Sequence, residues 1–271
     1  MKVGLFDSGI GGLTVLTELL KRAPYNCYIY LADTGRAPYG TKSSKVLKKY
    51  TSEIISFLLG KNVDVIVSAC NTIDSVAISF FQKLPVPYYS IIEAAVNGLK
   101  KSSRIAVLAT DATVESDVYN RKLKGHYVLQ KPAQPLVSII ENGGFLDNGI
   151  RELVKYYLGD IRKFEPDVLI LGCTHFSYIK EVVREYLKGV EVIDPSEKLA
   201  KLVAKDLRRS EEGRCIEFYV TGDNLEFEEK LLSIVNLDVN YSINRVSVGE
   251  LEGMVKEFEG NSGGVRIVGS R

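Results

Sequence analysis

Two cysteines occupy equivalent positions in two similar stretches of the chain. Residues 63–72 and 166–175 each contain an Asp-Val pair, an apolar run and a small residue, and each reaches a cysteine six residues after the aspartate. These cysteines are Cys70 and Cys173. Side chains that can hydrogen-bond follow both of them, namely Asn71 and Thr72 in the first copy and Thr174 and His175 in the second.

The apolar runs before the two cysteines are typical of strands in a parallel sheet. Each run has about five residues, many of them β-branched, and is followed by small and polar residues, as expected for a strand that is buried on both faces. Each cysteine then lies just past the carboxyl end of its strand, where ligands bind in open α/β sheets. Either thiol alone could be ordinary core, since free cysteine is among the most buried residue types. Two copies of the pattern favour a paired site.

Two thiols that face each other across a crevice could invert a stereocentre that carries an acidic hydrogen. One thiolate would remove the proton, and the other thiol would deliver a proton to the opposite face. A thiol has a pKa of about 8.5, far below that of an amino-acid α-hydrogen, so the site must also hold the carboxylate and stabilise the carbanion. Asp7 and His175 could tune the thiols, one near each cysteine. The candidate donors are the amides of a glycine-rich turn and the hydroxyls of Ser8, Thr72, Thr113 and Thr174.

The elements that must position these residues alternate between strands and helices. A strand from Lys2 to Phe6 leads through the glycine-rich turn 7–12 into an amphipathic helix, and a strand from Cys27 to Leu31 precedes a loop that contains Tyr39 and Gly40. The alternation resumes at residue 104, so we predict an α/β fold with two similar lobes, each a mostly parallel sheet flanked by helices, and an active site in the crevice between them. The first lobe is predicted to span residues 1–97 and the second residues 98–209.

Further expectations concern single elements. We predict a helix from about residue 71 to 82, a helical connector over 93–103, and a last clear strand over 214–220, with a frayed tail over 260–271. Thr113 reads as a helix N-cap, and Glu141 as a polar residue at a helix end.

Bulk composition excludes several kinds of partner. The 271 residues are 45% hydrophobic and 25% charged, which is typical of a globular protein, and 35 Lys and Arg balance 34 Asp and Glu. No overall field would therefore recruit nucleic acid or an anionic membrane. The glycine-rich turn has Thr14 where a dinucleotide-binding fingerprint has its third glycine, so no cofactor is predicted.

Cysteine usage and apolar runs predict the compartment. The four cysteines, at positions 27, 70, 173 and 215, lie far apart without a C-x-x-C pair, so neither a zinc site nor a disulfide framework is predicted. The amino-terminal stretch Met1–Asp7 meets a charge before a signal-peptide core could form, and no apolar run approaches the length of a membrane span. We therefore expect a cytoplasmic protein in a reducing compartment.

Four stretches of the chain resemble the signature sequences of the bacterial glutamate racemase family. They are Asp7–Val15, Pro38–Gly40, Ala69–Thr72 and Gly172–His175. They occur in order and at similar spacing, and the resemblance covers most of the chain before weakening after about residue 225. The resemblance implies a cofactor-independent enzyme that interconverts L- and D-glutamate, supplies D-glutamate for peptidoglycan and commonly forms a homodimer. It also implies that residues 210–271 return to the first lobe.

The resemblance further implies roles for individual residues. Cys70 would act on D-glutamate and Cys173 on L-glutamate, while Asp7, His175 and the helper carboxylate Glu141 would assist them. The residues that match the family's substrate-binding positions are Asp7, Ser8, Tyr39, Gly40, Asn71, Thr72, Thr113, Thr174 and His175.

The chain departs from the family at two places. Residues 92–95 read Ile-Glu-Ala-Ala where the family usually has Glu-Pro-Gly, and residues 133–135 read Ala-Gln-Pro where a cysteine often precedes the proline. The first could change the connection between the lobes, and the second the lining behind the site.

Three other functions remain open on sequence grounds. The nearest is a racemase of aspartate or another acidic amino acid, because two thiols fix the chemistry and not the length of the substrate side chain. The second is a two-lobed binding protein in which the cysteines are structural. A nucleotide-dependent enzyme is disfavoured because the sequence has no P-loop.

Overall fold

Two parallel sheets, each flanked by helices, form the framework of the chain. The computed structural model describes residues 1–77, 84–100, 102–146, 149–209 and 213–254, and the backbone of residues 267–268. In chain order, the strands are β1 Lys2–Asp7, β2 Cys27–Ala32, β3 Val65–Ser68, β4 Tyr88–Ser90, β5 Arg104–Ala109, β6 Tyr127–Pro132, β7 Val168–Gly172, β8 Glu191–Ile193, β9 Cys215–Val220, β10 Tyr241–Arg245 and β11 Ile267–Val268. The α-helices are α1 Leu13–Arg22, α2 Ser44–Gly60, α3 Asn71–Ala77, α4 Ile91–Val96, α5 Asp111–Glu115, α6 Val118–Lys122, α7 Gln134–Glu141, α8 Ile150–Phe164, α9 Lys180–Tyr186, α10 Pro195–Asp206, α11 Asn224–Ile234 and α12 Val248–Gly253.

The strand order divides the chain into two lobes. The larger sheet has the order β10-β9-β2-β1-β3-β4-β11 and the smaller has the order β6-β5-β7-β8, with parallel pairing throughout. Strands β9 and β10 of the carboxyl-terminal segment (residues 210–271) thus belong to the sheet of the first lobe. The predicted fold class is confirmed, while the lobe boundaries at residues 97 and 209 remain predictions.

The strands that lead to the two candidate thiols are buried because they are continuous apolar runs. Strand β3 reads Val-Ile-Val-Ser and β7 reads Val-Leu-Ile-Leu-Gly, and every residue in both is buried. Both are internal strands, since β3 lies between β1 and β4, and β7 between β5 and β8. Phe6 of β1 is in register with Ser68 of β3. Asp7 and Cys70 therefore emerge at the same carboxyl edge of the sheet.

The lobes share one hydrophobic core on the side where α1, α4 and α10 pack together. The largest cluster of buried side chains includes Leu16 of α1, Val107 of β5 and Leu199 of α10. Apolar burial across this contact holds the two sheets in one orientation and brings their carboxyl edges towards each other.

Two local predictions are wrong, and capping explains both. The predicted connector over 93–103 is instead the shorter helix α4. It starts earlier because the Ser90 hydroxyl caps it by accepting a hydrogen bond from the Glu93 amide at 3.0 Å. Gly98, at φ +76°, follows its carboxyl end. Thr113 is not an N-cap, because Thr110 has that position and accepts a hydrogen bond from the Thr113 amide at 3.3 Å.

The carboxyl-terminal segment has more structure than the sequence predicts. The expected strand over 214–220 is β9, but α11, β10 and α12 follow it without having been predicted. Of the helix predicted over 71–82, α3 covers the part up to Ala77, and residues 78–83 lie outside the described residues. Apart from the backbone of 267–268, which pairs with β4, the predicted tail over 260–271 also lies outside them.

One cysteine pair contradicts the expectation that the chain forms no disulfide. Cys27 begins β2 and Cys215 begins β9, the two residues are in register, and their sulfur atoms are bonded with the Cα atoms 4.5 Å apart. Cys70 and Cys173 are both free thiols. The far separation of Cys27 and Cys215 along the sequence concealed their pairing.

Among the described residues, no helix is long and apolar enough to cross a bilayer.

Candidate active site

Cys70 lies between the end of β3 and the start of α3, and it is 4% exposed. Burial raises the pKa of its thiol well above the usual range, and the nearby carboxylate of Asp7 and sulfur of Cys173 raise it further. Backbone amides of Ile73 and Thr72 point at the sulfur and act in the opposite direction. Among these influences, only the backbone amides at the start of α3 stabilise a thiolate at Cys70.

Asp7 is held at the end of β1 by the glycine-rich turn. Its Oδ2 atom accepts hydrogen bonds from the amides of Gly9 at 3.1 Å and Gly12 at 3.0 Å. Its Oδ1 atom is buried without a hydrogen-bond partner. Burial raises the pKa of Asp7, although the positive charge of His175 opposes the shift. The Oδ2 atom is thus held by the turn, and the Oδ1 atom is available to a ligand.

Cys173 at the end of β7 has a different environment. It is 5% exposed, and its sulfur lies 3.6 Å from Nδ1 of His175. On its other side, Nε2 of His175 forms a short hydrogen bond with Oε2 of Glu141. An imidazole in this position can carry a positive charge beside the sulfur and can stabilise negative charge that forms on it.

The His175–Glu141 pair is an ion pair in the folded protein. Burial alone would lower the pKa of His175, but the carboxylate of Glu141 and the sulfur of Cys173 raise it well above its ordinary value. Burial would likewise raise the pKa of Glu141, yet His175 and the more distant Lys230 keep it below its ordinary value. Glu141 therefore keeps a proton on His175 beside Cys173.

The glycine-rich turn of the first lobe fits closely against the second lobe. A Cβ atom on Gly11 would lie 2.4 Å from Oγ1 of Thr174 and 2.6 Å from Nδ1 of His175, and one on Gly9 would lie 2.4 Å from Oε1 of Glu141. The turn is also held from both lobes, since Tyr30 donates to the Gly9 carbonyl and Tyr178 to the Ile10 carbonyl, each at 2.9 Å. Glycine is required here for the close approach of backbone to side chain.

A chain of threonine hydroxyls links the lobes next to Cys70. The hydroxyl oxygens of Thr72 and Thr110 are 3.0 Å apart, and those of Thr110 and Thr113 are 2.8 Å apart. All three are buried. Thr72 and Thr113 were both predicted as site residues, and Thr110 joins them.

The remaining predicted residues have distinct placements. Tyr39 is buried, and its hydroxyl donates to Asp33 rather than pointing freely into a cavity. Gly40 lies against the second lobe, because a Cβ atom there would be 1.7 Å from Oε1 of Gln134. Ser8 follows Asp7 and is 8% exposed, and Asn71 is buried.

Sequence reasoning missed three residues that border the site. Thr110 had a recognisable signal. It follows a strand, and threonine at the start of a helix is a common N-cap that accepts a hydrogen bond from an amide three residues later, here that of the second threonine. Gln134 was noticed only as a departure from the family pattern. Tyr119, whose hydroxyl donates to Oδ1 of Asn71 at 2.9 Å, had no signal, since it comes from a helix remote in sequence.

Several buried polar atoms around the site have no hydrogen-bond partner among the described residues. They are Oδ1 of Asp7, Nδ2 of Asn71, and both Nε2 and Oε1 of Gln134. Buried polar groups are rarely left unpaired, so their concentration here indicates a binding site for a small polar ligand. The carboxylate oxygen suits an ammonium group, and the amide N–H groups suit a carboxylate.

A cavity of about 230 Å³ lies on the outer side of Glu141. It is lined by residues of the glycine-rich turn, α7 and the carboxyl-terminal segment, including Ile10, Glu141, Gly222 and Lys230. Of the Glu141–His175 pair, only Glu141 lines this cavity.

The chain is similar to known proteins over most of its length. A sequence profile of the Asp/Glu/Hydantoin racemase family matches residues 19–203. The glutamate racemase of Aquifex aeolicus (strain VF5) is 38% identical over 241 residues, which cover 87% of this chain and 94% of the relative. The glutamate racemase of Aquifex pyrophilus is 39% identical over 240 residues, which cover 86% of this chain and 94% of the relative.

Solved structures are similar over the same extent. The crystal structure of glutamate racemase from Thermus thermophilus, in complex with beta-chloro-D-alanine, superposes with a TM-score of 0.84 at 34% identity and covers 92% of this chain and 98% of that one. The structure of glutamate racemase from Francisella tularensis subsp. tularensis SCHU S4, in complex with D-glutamate, superposes with a TM-score of 0.81 at 32% identity and covers 91% and 97%.

Proposed function

Because the chain belongs to the Asp/Glu/hydantoin racemase family, we propose that it interconverts L- and D-glutamate with Cys70 and Cys173 as its two acid/base residues. The observation that carries the proposal is the pair of buried free thiols at the carboxyl ends of β3 and β7, one from each lobe. The D-glutamate in the Francisella tularensis structure supports glutamate as the ligand.

The proposed reaction moves one proton on each face of the substrate. With L-glutamate, the Cys173 thiolate removes the α-proton, and the electron pair left on Cα is stabilised by delocalisation into the carboxylate. The Cys70 thiol then delivers its proton to the opposite face. The protonation states of the two sulfurs are exchanged after one turnover, and proton exchange with solvent restores them. D-glutamate reacts by the reverse sequence.

Substrate binding would use the polar atoms that lack partners within the protein. Asp7 offers its free Oδ1 to the ammonium group, and Asn71 offers Nδ2 to a carboxylate. The hydroxyls of Ser8, Thr72, Thr113 and Thr174 and the backbone at Gly40 complete the set. Tyr39 would act by holding the turn that carries Gly40, since its hydroxyl is bonded to Asp33.

The chemistry needs no metal or organic cofactor, since the two thiols account for both proton transfers. Activity should survive dialysis against a chelator and gel filtration. Activity that returned only on adding back a metal or a small molecule would contradict this part of the proposal.

The cellular role follows from the family. The enzyme would work in the cytoplasm, as a homodimer, and would supply D-glutamate for peptidoglycan. Sedimentation velocity at micromolar concentration tests the dimer, and fractionation of cells tests the location. Depletion of the protein should give a requirement for external D-glutamate.

The decisive experiment follows the α-proton of the substrate in heavy water. Proton NMR should show loss of the α-proton signal from either enantiomer of glutamate, together with formation of the other enantiomer. A protein that merely binds glutamate would leave the signal unchanged. The same assay with aspartate separates the two acidic substrates, and faster exchange with aspartate would reassign the substrate.

Replacing each thiol tests the two roles. Cys70→Ser and Cys173→Ser should each reduce racemisation in both directions by about a thousandfold or more, because each direction needs both residues and a serine hydroxyl is too weak an acid to replace a thiol. Loss of activity in one variant only would rule out the two-thiol mechanism.

A substrate with a leaving group on Cβ separates the two thiols. Removal of the α-proton expels that group, so one cysteine suffices. Cys70→Ser should process the L-analogue, and Cys173→Ser the D-analogue. Elimination from the same enantiomer in both variants would overturn the assignment.

A further inference from the structure

The cysteine pair Cys27–Cys215 lies far from the catalytic thiols. Both residues begin their strands, β2 and β9, so the pair is at the amino edge of the larger sheet. Asp7 and Cys70 are at its carboxyl edge. A strand of six residues separates the two edges by roughly 17–20 Å. The pair therefore belongs to neither the active site nor its immediate surroundings.

The bond between these cysteines joins two parts of the chain that are remote in sequence. Cys27 belongs to the first lobe and Cys215 to the carboxyl-terminal segment, at a sequence separation of 188. The ladder between β2 and β9 and the burial of Phe218 and Phe227 already fix the native contact. A cross-link across so long a stretch acts mainly by restricting the unfolded chain.

The two sulfurs differ in access. Cys27 is 1% exposed, whereas Cys215 is half-buried. Exchange with a small thiol or disulfide must therefore start at Cys215. A carboxylate oxygen of Glu217, two residues along β9, lies within 4.8 Å of both sulfurs, and Glu217 accepts a hydrogen bond from the Tyr219 hydroxyl at 2.7 Å.

We propose that Cys27 and Cys215 are a redox-modification site whose oxidised form fastens the carboxyl-terminal segment to the first lobe and raises the thermal stability of the protein. In the oxidising direction, the Cys215 thiolate attacks a small disulfide such as oxidised glutathione and releases one small thiolate. The Cys27 thiolate then attacks the Cys215 sulfur and releases the second. The protein gives up two electrons, and the small disulfide becomes two thiols.

The state of this site should leave catalysis nearly unchanged. The hydrogen bonds between β2 and β9 persist when the disulfide is reduced, so the carboxyl edge of the sheet keeps its position. The proposal is thus independent of the reaction assigned to Cys70 and Cys173.

Thiol counting in the native protein gives the first test. After equilibration with oxidised glutathione, the folded protein should have two titratable thiols on denaturation, and peptide mass mapping should assign the bond to Cys27 and Cys215. After reduction it should have four. Four thiols under both conditions would overturn the proposal.

Thermal unfolding gives the second test. Reduction should lower the melting temperature of the wild-type protein by about 5–10 °C, but should not change that of Cys215→Ser or Cys27→Ser. The turnover number of both variants should stay within about twofold of wild type. An equal fall on reduction in wild type and variants would refute the proposal. So would stable uptake of one Zn²⁺ per reduced chain that depends on Cys27, Cys215 and Glu217, since the pair would then be a metal site.

Discussion

At the scale of single residues, two identical thiols have unlike electrostatic surroundings. Cys70 lies near the carboxylate of Asp7, whereas Cys173 lies beside the protonated imidazole of His175, which is held by Glu141. A thiolate at Cys173 is thereby stabilised by a neighbouring cation, while a thiolate at Cys70 must rely on the amides at the start of α3.

Removing the carboxylate of Glu141 should change how activity depends on pH. Glu141 raises the pKa of His175, so Glu141→Gln should lower that pKa, and His175 should lose its proton at a lower pH. The basic limb of the profile of kcat/KM for L-glutamate should then move to lower pH, and activity at pH 8 should fall about tenfold for each unit by which the shifted pKa lies below 8. Pre-steady-state and steady-state rates between pH 6 and 10 measure the shift of the pH profile.

The exposed Glu152, which pairs with Lys155, provides a matched control. Glu152→Gln should leave the profile unchanged. A profile that did not move in Glu141→Gln would show that His175 acts without its partner.

The same pair should contribute to stability over a limited pH range. The pKa of His175 is higher in the folded than in the unfolded chain, so its contribution is complete below about pH 6.5 and is lost as pH rises through the folded-state pKa. The pKa of Glu141 is lower in the folded chain, so its contribution is present above about pH 4.5 and is lost as pH falls through the folded-state pKa. The wild-type protein should lose more stability than Glu141→Gln when urea unfolding is repeated at alkaline pH.

At the scale of elements, turns place the reacting groups, and small residues make their positions possible. The turn after β1 approaches Thr174 and His175 so closely that a methyl group at Gly11 has no room. Tyr30 and Tyr178 hold this turn by its carbonyl groups from opposite lobes. The turn therefore sets the distance between the two lobes at the site.

Gly11→Ala should consequently impair catalysis more than folding. Its Cβ would displace Thr174 and His175, and we expect kcat/KM to fall by about a hundredfold with a loss of stability of about 1–3 kcal/mol. Gly159→Ala is the matched control, because Gly159 lies within α8 with nothing within 4 Å of an added Cβ. That variant should be fully active and about 0.5–1 kcal/mol more stable. Nearly normal activity in Gly11→Ala would contradict the close fit.

The sequence predicts central elements well and peripheral ones poorly. Helix α1, over Leu13–Arg22, follows the glycine-rich turn as predicted, and strand β5, over Arg104–Ala109, begins at the predicted residue 104, because burial gives strands and helices distinct apolar patterns. Strand β10 was missed because it is a half-exposed strand beside β9 that reads Tyr-Ser-Ile-Asn-Arg and has no apolar run. The contacts of Gln134 and Tyr119 join distant parts of the chain, and no local pattern reports such contacts.

At the scale of the whole molecule, a shared core joins the lobes on one side, and polar contacts join them elsewhere. The core around α1 and α10 is continuous, and the Thr72–Thr110 hydrogen bond and the ion pair between Glu93 and Lys122 add polar contacts between the lobes. Both candidate cysteines are at most 5% exposed, so glutamate can reach them only if the lobes separate at the polar side. The shared core would then act as the hinge.

Lys122→Met tests the ion pair that joins the lobes outside the site. Glu93 is 6% exposed and would lose its charged partner, so we expect a loss of about 2 kcal/mol in the free energy of unfolding. A weaker closed state should also raise KM for glutamate severalfold with little change in kcat. Lys124→Met, at an exposed position two residues away, is the control and should change neither quantity. Equal stability of the two variants would show that the Glu93–Lys122 contact contributes nothing.

Because the two substrates are mirror images, the unlike surroundings of the two thiols can affect only some of the kinetic constants. L- and D-glutamate have the same free energy in water, so their equilibrium constant is unity, and the Haldane relation requires kcat/KM to be equal in the two directions for the wild type and every variant. His175 and Glu141 therefore cannot favour one direction at low substrate concentration. Their one-sided placement can appear only at saturation, as proportional differences in kcat and KM between the two enantiomers, and in which enantiomer accumulates on the enzyme.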